Sequence, residues 1–159
     1  MSDITIQRLN GSFGRLGELL DLIHTSFAYM DGRIDPPSSA HALTAQSLRE
    51  KARNEIGYVA RDGDKITGCV FCRVEPDSLY IGKLAVLPET QGRGIGKRLL
   101  TYAEAEARNR DLTILRLETR IELVDNHTTF AAWGFSKTAE NSHPGFDRTT
   151  SIEMRKLLT

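Results

Sequence analysis

Surplus charge, cysteines and long apolar runs are all scarce in this sequence, and each scarcity removes a class of function. Lysine plus arginine number 21, and so do aspartate plus glutamate. A balanced chain has no basic field to hold a phosphate backbone, so nucleic acid is not expected as a partner. No apolar run approaches a membrane span, so a membrane is not expected either. The start, Met1-Ser2-Asp3-Ile4-Thr5, lacks the basic residues and apolar stretch of a signal peptide, which points to a cytoplasmic location. There are only two cysteines, Cys69 and Cys72. Their C-x-x-C spacing invites a zinc or redox reading. They sit in Ile66-Thr67-Gly68-Cys69-Val70-Phe71-Cys72-Arg73-Val74, which reads as a strand, where positions three apart face opposite sides. No second pair exists for a metal and no helix start lies nearby to activate a thiolate, so a structural role is expected.

What remains is an ordinary globular composition, with 40% hydrophobic and 26% charged residues in 159. That length suits one domain over residues 1–159 with a proper core. Repeats, low-complexity tracts and linkers are absent. Ile4 and Ile6 alternate with polar residues, as in a half-buried strand. Phe13, Leu16, Leu19, Leu20, Ile23 and Phe27 recur at helical spacing, with Ser12 as the expected cap. The run from Asp31 to Ser39, with Gly32, Pro36 and Pro37, breaks regular structure. A shorter helix is predicted from Ala45 to Arg53, capped by Thr44. Strands follow at Ile56–Ala60 and Ile66–Val74, joined as a hairpin by Asp62-Gly63-Asp64, and then at Leu79–Leu87 after the Pro76-Asp77 turn. Ile95, Leu99, Tyr102, Ala103 and Ala107 mark one face of a helix. Leu112–Leu117 reads as a strand, Asn126–Trp133 as a short helix, and Phe135 onward and Ser151–Leu157 as strands. The order β-α-α-β-β-β-α-β-α-β-β implies an α/β (mixed α+β) fold, a mixed sheet of about seven strands flanked by helices.

The stretch richest in chemistry is Leu84-Ala85-Val86-Leu87-Pro88-Glu89-Thr90-Gln91-Gly92-Arg93-Gly94-Ile95-Gly96-Lys97-Arg98. A strand ends, three glycines alternate, and a helix begins at once. Glycine inside a helix costs about 1 kcal/mol against alanine, so this clustering needs a reason. Without Cβ atoms the backbone can approach a ligand closely. A helix start adds unpaired N–H groups and the positive end of the macrodipole, which together suit a phosphate. Arg93, Lys97 and Arg98 add positive charge. The dinucleotide-binding pattern G-x-G-x-x-G fails, because it needs glycine where Lys97 stands. The P-loop pattern fails at Gln91 and Arg98.

Gln91-Gly92-Arg93-Gly94-Ile95-Gly96 resembles the Q/R-x-x-G-x-G/A signature of the GNAT acyl-CoA N-acyltransferases. Leu84-Ala85-Val86-Leu87-Pro88 resembles their run into it, Asn126 their downstream asparagine, and Gly134-Phe135 the Gly-Phe that closes their last short helix. The order of elements matches along nearly the whole chain. The resemblance implies a GNAT-like sheet in which Leu79–Val86 and Leu112–Glu118 splay apart and admit the pantetheine arm of acetyl-CoA, the co-substrate, without a metal. It assigns cofactor contacts to Leu84, Ala85, Val86, Gln91, Gly92, Arg93, Gly94, Ile95, Gly96, Lys97, Asn126 and Phe130. It makes the Val86 N–H the donor to the oxyanion.

The implied activity is acetyl transfer to a primary amine, on a small molecule, by direct attack in a ternary complex. A protein lysine or N-terminus is the alternative acceptor. A CoA-binding sensory module without turnover is the alternative of another class, because Phe130 stands where many relatives carry the tyrosine that protonates the departing thiolate. A base must also take the proton of the amine, whose free pKa lies near about 10. Glu118, His127 and His143 are candidates, with Tyr80 and Lys83 behind them. Phe27, Tyr29, Met30 and Arg33 belong to a variable segment expected to recognise the acceptor, together with the loop around His143. Monomer and homodimer both remain open.

Overall fold

The computed structural model describes residues 3–158. Met1, Ser2 and Thr159, the ends of the expected domain, lie outside them. The elements follow the expected order: β1 Ile4–Arg8, α1 Leu16–Phe27, α2 Ala45–Asn54, β2 Ile56–Asp62, β3 Lys65–Val74, β4 Leu79–Val86, α3 Ile95–Asn109, β5 Ile114–Arg120, α4 Val124–Ala132, β6 Ser136–Asn141 and β7 Ser151–Leu157. Short 3-10 turns at Ala28–Met30 and Ser39–Ala42 flank the segment expected to be irregular.

The strands form one seven-stranded sheet in the order β1-β2-β3-β4-β5-β7-β6. Only β4 and β5 run parallel; the other neighbours are antiparallel. One face is covered by α3, through Ile95, Leu99, Leu100, Ala103 and Ala107. The other is covered by α1 and α2, through Leu19, Leu22, Ile23, Leu48 and Ala52. Gly68 permits the close seat of α3, since a Cβ there would stand 3.1 Å from the Ala85 carbonyl and 3.1 Å from Ile95.

Thr44 caps α2 as expected, in a reciprocal box with Ser47: the Ser47 N–H donates to Thr44 Oγ1 at 3.1 Å and the Thr44 N–H donates to Ser47 Oγ at 2.9 Å. Ser12 does not cap α1. Both its N–H and its hydroxyl donate to Asn10 Oδ1, so its side chain is spent on a local turn, and the helix begins only after Arg15. Tyr102 is also misjudged by periodicity. It is 40% exposed and leans on Tyr58, while Leu100 takes the buried place.

The two cysteines are buried and free, on opposite faces of β3: Cys69 packs with the α1–α2 side and Cys72 with the α3 side. Burial pushes both thiols up to about 12. Neither is expected to react with Ellman's reagent at pH 8 in the folded protein, and both should react in guanidinium; rapid labelling of the native protein would contradict this placement.

Candidate active site

β4 and β5 pair over three positions only, Leu79 with Leu115, Tyr80 with Arg116 and Ile81 with Leu117. Beyond Ile81 they part. The cause lies on the other edge of β4. Between the pairs Phe71–Gly82 and Cys69–Ala85, Lys83 and Leu84 both stand opposite Val70, which makes a bulge. Lys83 there has φ of 42°, a left-handed conformation that costs a non-glycine residue strain. The bulge turns β4 away from β5 and opens a cleft of about 970 Å³.

The backbone of β4 faces that cleft with free groups. The Leu87 N–H donates to the Thr67 carbonyl at 2.9 Å, so it points toward β3. Alternate backbone groups of a strand point to opposite edges, so the Val86 N–H points toward the gap that β5 has left. Gln91 Nε2 lies 3.4 Å from the Val86 carbonyl. One end of the cleft is the start of α3. Gly92 and Gly94 have φ of 86° and 76°, and a Cβ at either would meet no protein atom within 4 Å. The first N–H of this stretch with a backbone partner is that of Arg98, on Gly94, so among the described residues the N–H groups from Gly92 to Lys97 have none. Open space over unpaired donors at a helix start fits a pyrophosphate. Gly96 allows Trp133 and Val86 to close in, since a Cβ there would stand 3.3 Å from the tryptophan ring.

Most of the expected site residues meet in this cleft. Leu84, Ala85, Val86, Gln91, Gly92, Gly94, Ile95, Gly96, Lys97, Asn126 and Phe130 line it, as do Phe27, Tyr29 and Met30. Arg93 does not. Its guanidinium pairs with Asp62 at 3.2 Å, on the outer side of the turn. Arg33 is also outside and stacks on the Tyr29 ring. Phe130 packs edge-on against Trp133 and Phe135, so its ring is both cleft wall and core.

The candidate bases separate. His127 lies outside the cleft lining, with Nε2 2.8 Å from the Arg120 carbonyl. Glu118 lines the cleft, but its carboxylate accepts from Asn141 at 3.2 Å and stands 3.6 Å from Arg116. His143 lines it too, with Nδ1 against Thr150 Oγ1. Burial, and next Arg120, hold its imidazole below the usual histidine range. In the tautomer that carries its proton on Nδ1, toward Thr150, the Nε2 lone pair is free.

Two arrangements escaped the sequence reading. The segment after α1 is pinned over the cleft: Arg120 donates to the Pro36 and Pro37 carbonyls at 2.8 and 3.0 Å, Arg148 to the Asp35 carbonyl at 3.0 Å, and the Asp35 N–H to Glu122 at 3.1 Å. Second, Asn126 Nδ2 donates to the Tyr29 hydroxyl at 3.1 Å. No spacing joins residues ninety-seven apart; only the fold brings them together.

Gly94→Val is expected to weaken coenzyme A binding by at least about tenfold in calorimetry, because methyls would fill the space over the free donors and strain a left-handed residue. Lys97→Ala should weaken binding by several fold and Arg93→Ala by less, since only Lys97 lines the cleft. Unchanged affinity in Gly94→Val, with a native circular dichroism spectrum, would remove the phosphate reading of this turn.

The acetyltransferase (GNAT) family model matches residues 18–135. An IAA acetyltransferase of Azospirillum brasilense is 32% identical over 108 residues, 66% of this chain and 69% of that protein. Among solved structures, the paia N-acetyltransferase from Thermoplasma acidophilum, in complex with coenzyme A, has the same fold with a TM-score of 0.80 at 16% identity, covering 98% of this chain and 99% of that one. An IAA acetyltransferase from Bacillus cereus has a TM-score of 0.67 at 19% identity, over 98% and 100% of the two chains. The matched family region contains the glycine-rich turn, both strands of the cleft and α4, and with it the chain belongs to the GNAT family of acetyltransferases and is an N-acetyltransferase.

Proposed function

We propose that this protein moves the acetyl group of acetyl-CoA onto a primary amine of a small molecule, by direct attack in a ternary complex. The observation that carries this reading is the cleft itself, which joins free donors at the α3 start to a roofed chamber under the pinned 31–37 segment. A roofed chamber favours a small acceptor over a peptide, which needs an open groove. The fit of the glycine turn to a pyrophosphate supports residues Gly92 and Gly94 to Lys97 as the phosphate contacts.

In the transfer, the neutral amine forms a C–N bond to the thioester carbonyl carbon and the C–S bond breaks. The Val86 N–H stabilises the oxyanion between these events. His143 takes the proton that the amine loses. Its free Nε2 and depressed pKa suit a base that is neutral at pH 7, whereas Glu118 is held by Arg116 and Asn141. The proton for the thiolate comes from Tyr29 or from water. The Tyr29 hydroxyl accepts from Asn126, so its own hydrogen is uncommitted. Phe130 has no proton to offer.

Release of free CoA from acetyl-CoA, with the product followed by mass, tests the reading across small amines and peptides. Acetylation of small amines is expected. Acetylation of peptides alone would favour the protein-directed alternative, and tight CoA binding without release against any amine would favour the sensory one. His143→Gln should lower kcat by about 10²-fold. The acid limb of the wild-type kcat/KM profile should fall below about 6.5, since burial and Arg120 favour the neutral ring, and Glu118→Gln should keep that limb and shift it to lower pH, because the Glu118 charge favours the protonated ring. Tyr29→Phe should reduce kcat by no more than about threefold with KM for acetyl-CoA little changed, since water can protonate the thiolate in its place. Phe130→Tyr should bring no gain, because a thiol with pKa near about 8.5 leaves with little help at pH 7. A several-fold rise in Phe130→Tyr would show that the natural protein lacks a working acid.

A further inference from the structure

The acceptor half of the cleft has more positive charge than the protein itself neutralises. Two carboxylates line it and both are engaged, Glu55 with Lys51 at 2.8 Å and Glu118 with Arg116 at 3.6 Å. Lys83, Arg120 and Arg73 line it as well, and among the described residues none of the three takes part in an ion pair. Their partners are neutral. Lys83 Nζ donates to Ser39 Oγ at 2.6 Å, Arg120 donates to the two proline carbonyls, and Arg73 lies over the Tyr80 ring at 4.5 Å. Neutral acceptors satisfy hydrogen-bonding geometry without pairing the charge, and the carboxylates that act on it, Glu122 and Asp35 on Arg120 and Glu55 on Lys83, do so from beyond ion-pair distance.

Lys83 is not a solvated surface lysine. It is half-buried, at the strained bulge residue that parts β4 from β5, three residues before Val86. Arg120 lies on the facing strand, two residues beyond Glu118. Burial lowers the pKa of Lys83, and Lys51 and Arg120 push it the same way against the opposing charge of Glu55; Arg120 also lowers that of His143. The cations therefore share one field across the chamber.

That field selects among acceptors. A simple alkylamine arrives as an ammonium ion and is repelled. A molecule with a carboxylate near its amine is drawn in, and once the carboxylate is seated the remaining positive field favours the neutral, nucleophilic amine. We propose that the acceptor carries a carboxylate, an amino acid in chemical class, and that this carboxylate sits between Lys83 and Arg120. The assignment rests on the small-molecule reading above and narrows it.

Binding is tested apart from turnover. In the CoA-saturated protein, calorimetry is run with 3-phenylpropionate and 3-phenylpropionamide, neither of which has an amine to acetylate. The acid is expected to bind at least about tenfold more tightly than the amide, as a charge-assisted contact requires. Lys83→Met and Arg120→Met, each with a native circular dichroism spectrum, should each reduce that preference by several fold. Equal affinity for acid and amide, or no binding of the acid, overturns the carboxylate subsite even where neutral amines are acetylated. In the kinetic arm, phenylalanine should exceed phenethylamine in kcat/KM by at least about tenfold. A better rate with phenethylamine overturns the proposal and leaves acetyl transfer to small amines intact. Binding of the acid without CoA release from any amine would instead remove the small-molecule transferase reading, and this proposal with it.

Discussion

The parting of two parallel strands after three paired positions is the constraint on which the rest of the structure depends. A fully paired sheet would spend the backbone groups of β4 on β5 and leave no edge for a ligand. The bulge opposite Val70 costs strain at Lys83 and two positions of regular register, yet it leaves the Val86 N–H facing an open gap. The same departure carries β4 toward the glycine turn, so free strand groups and free helix-start groups line one continuous cleft. One irregularity thus serves both ends of the site.

Holding the strands together just before they part falls to Arg116, which pairs with Tyr80 in register. Its guanidinium meets Glu75 through two bonds of 2.9 Å and Glu153 at 3.2 Å, while its face lies 4.6 Å from the Tyr80 ring. Glu75 follows β3, Arg116 is on β5 and Glu153 on β7, so the ion network spans the sheet at the root of the cleft. The Arg116 guanidinium, and after it the Ser78 hydroxyl, hold the Glu75 carboxyl below the usual carboxylate range. Paired charge at the root contrasts with unpaired charge in the chamber above. The first fixes the fork, and the second is free to act on what enters it.

Much of the fold was legible because its signals are local. The face of α3 apart from Tyr102, the cap at Thr44 and the hairpin of β2 and β3 all depend on residues close in sequence, and each stands as expected. The glycine turn was legible for the same reason: strand end, glycines and helix start are consecutive. Local reading failed where a neighbour competed. Asn10 captures Ser12 and delays α1, and Asp62 draws Arg93 away from the cleft that its place in the turn suggested. His127 was a candidate because it adjoins Asn126, but adjacent residues on a helix point in different directions, and its ring faces the Arg120 carbonyl instead.

The sequence by itself determined the order of elements, the opposite faces of Cys69 and Cys72, and the glycine turn at the start of α3, since each follows from periodicities and torsional preferences a few residues long. It also displayed the signature by which the family is recognised. Only the tertiary structure decided which polar groups meet in and around the cleft. Tyr29 meets Asn126, Lys83 meets Ser39, and Arg120 meets Pro36 and Pro37 across separations that no local pattern encodes. The physical reason is that charge balance and proton transfer depend on distances through space. Those distances are set by how two diverging strands and one pinned loop pack, and no single segment contains them.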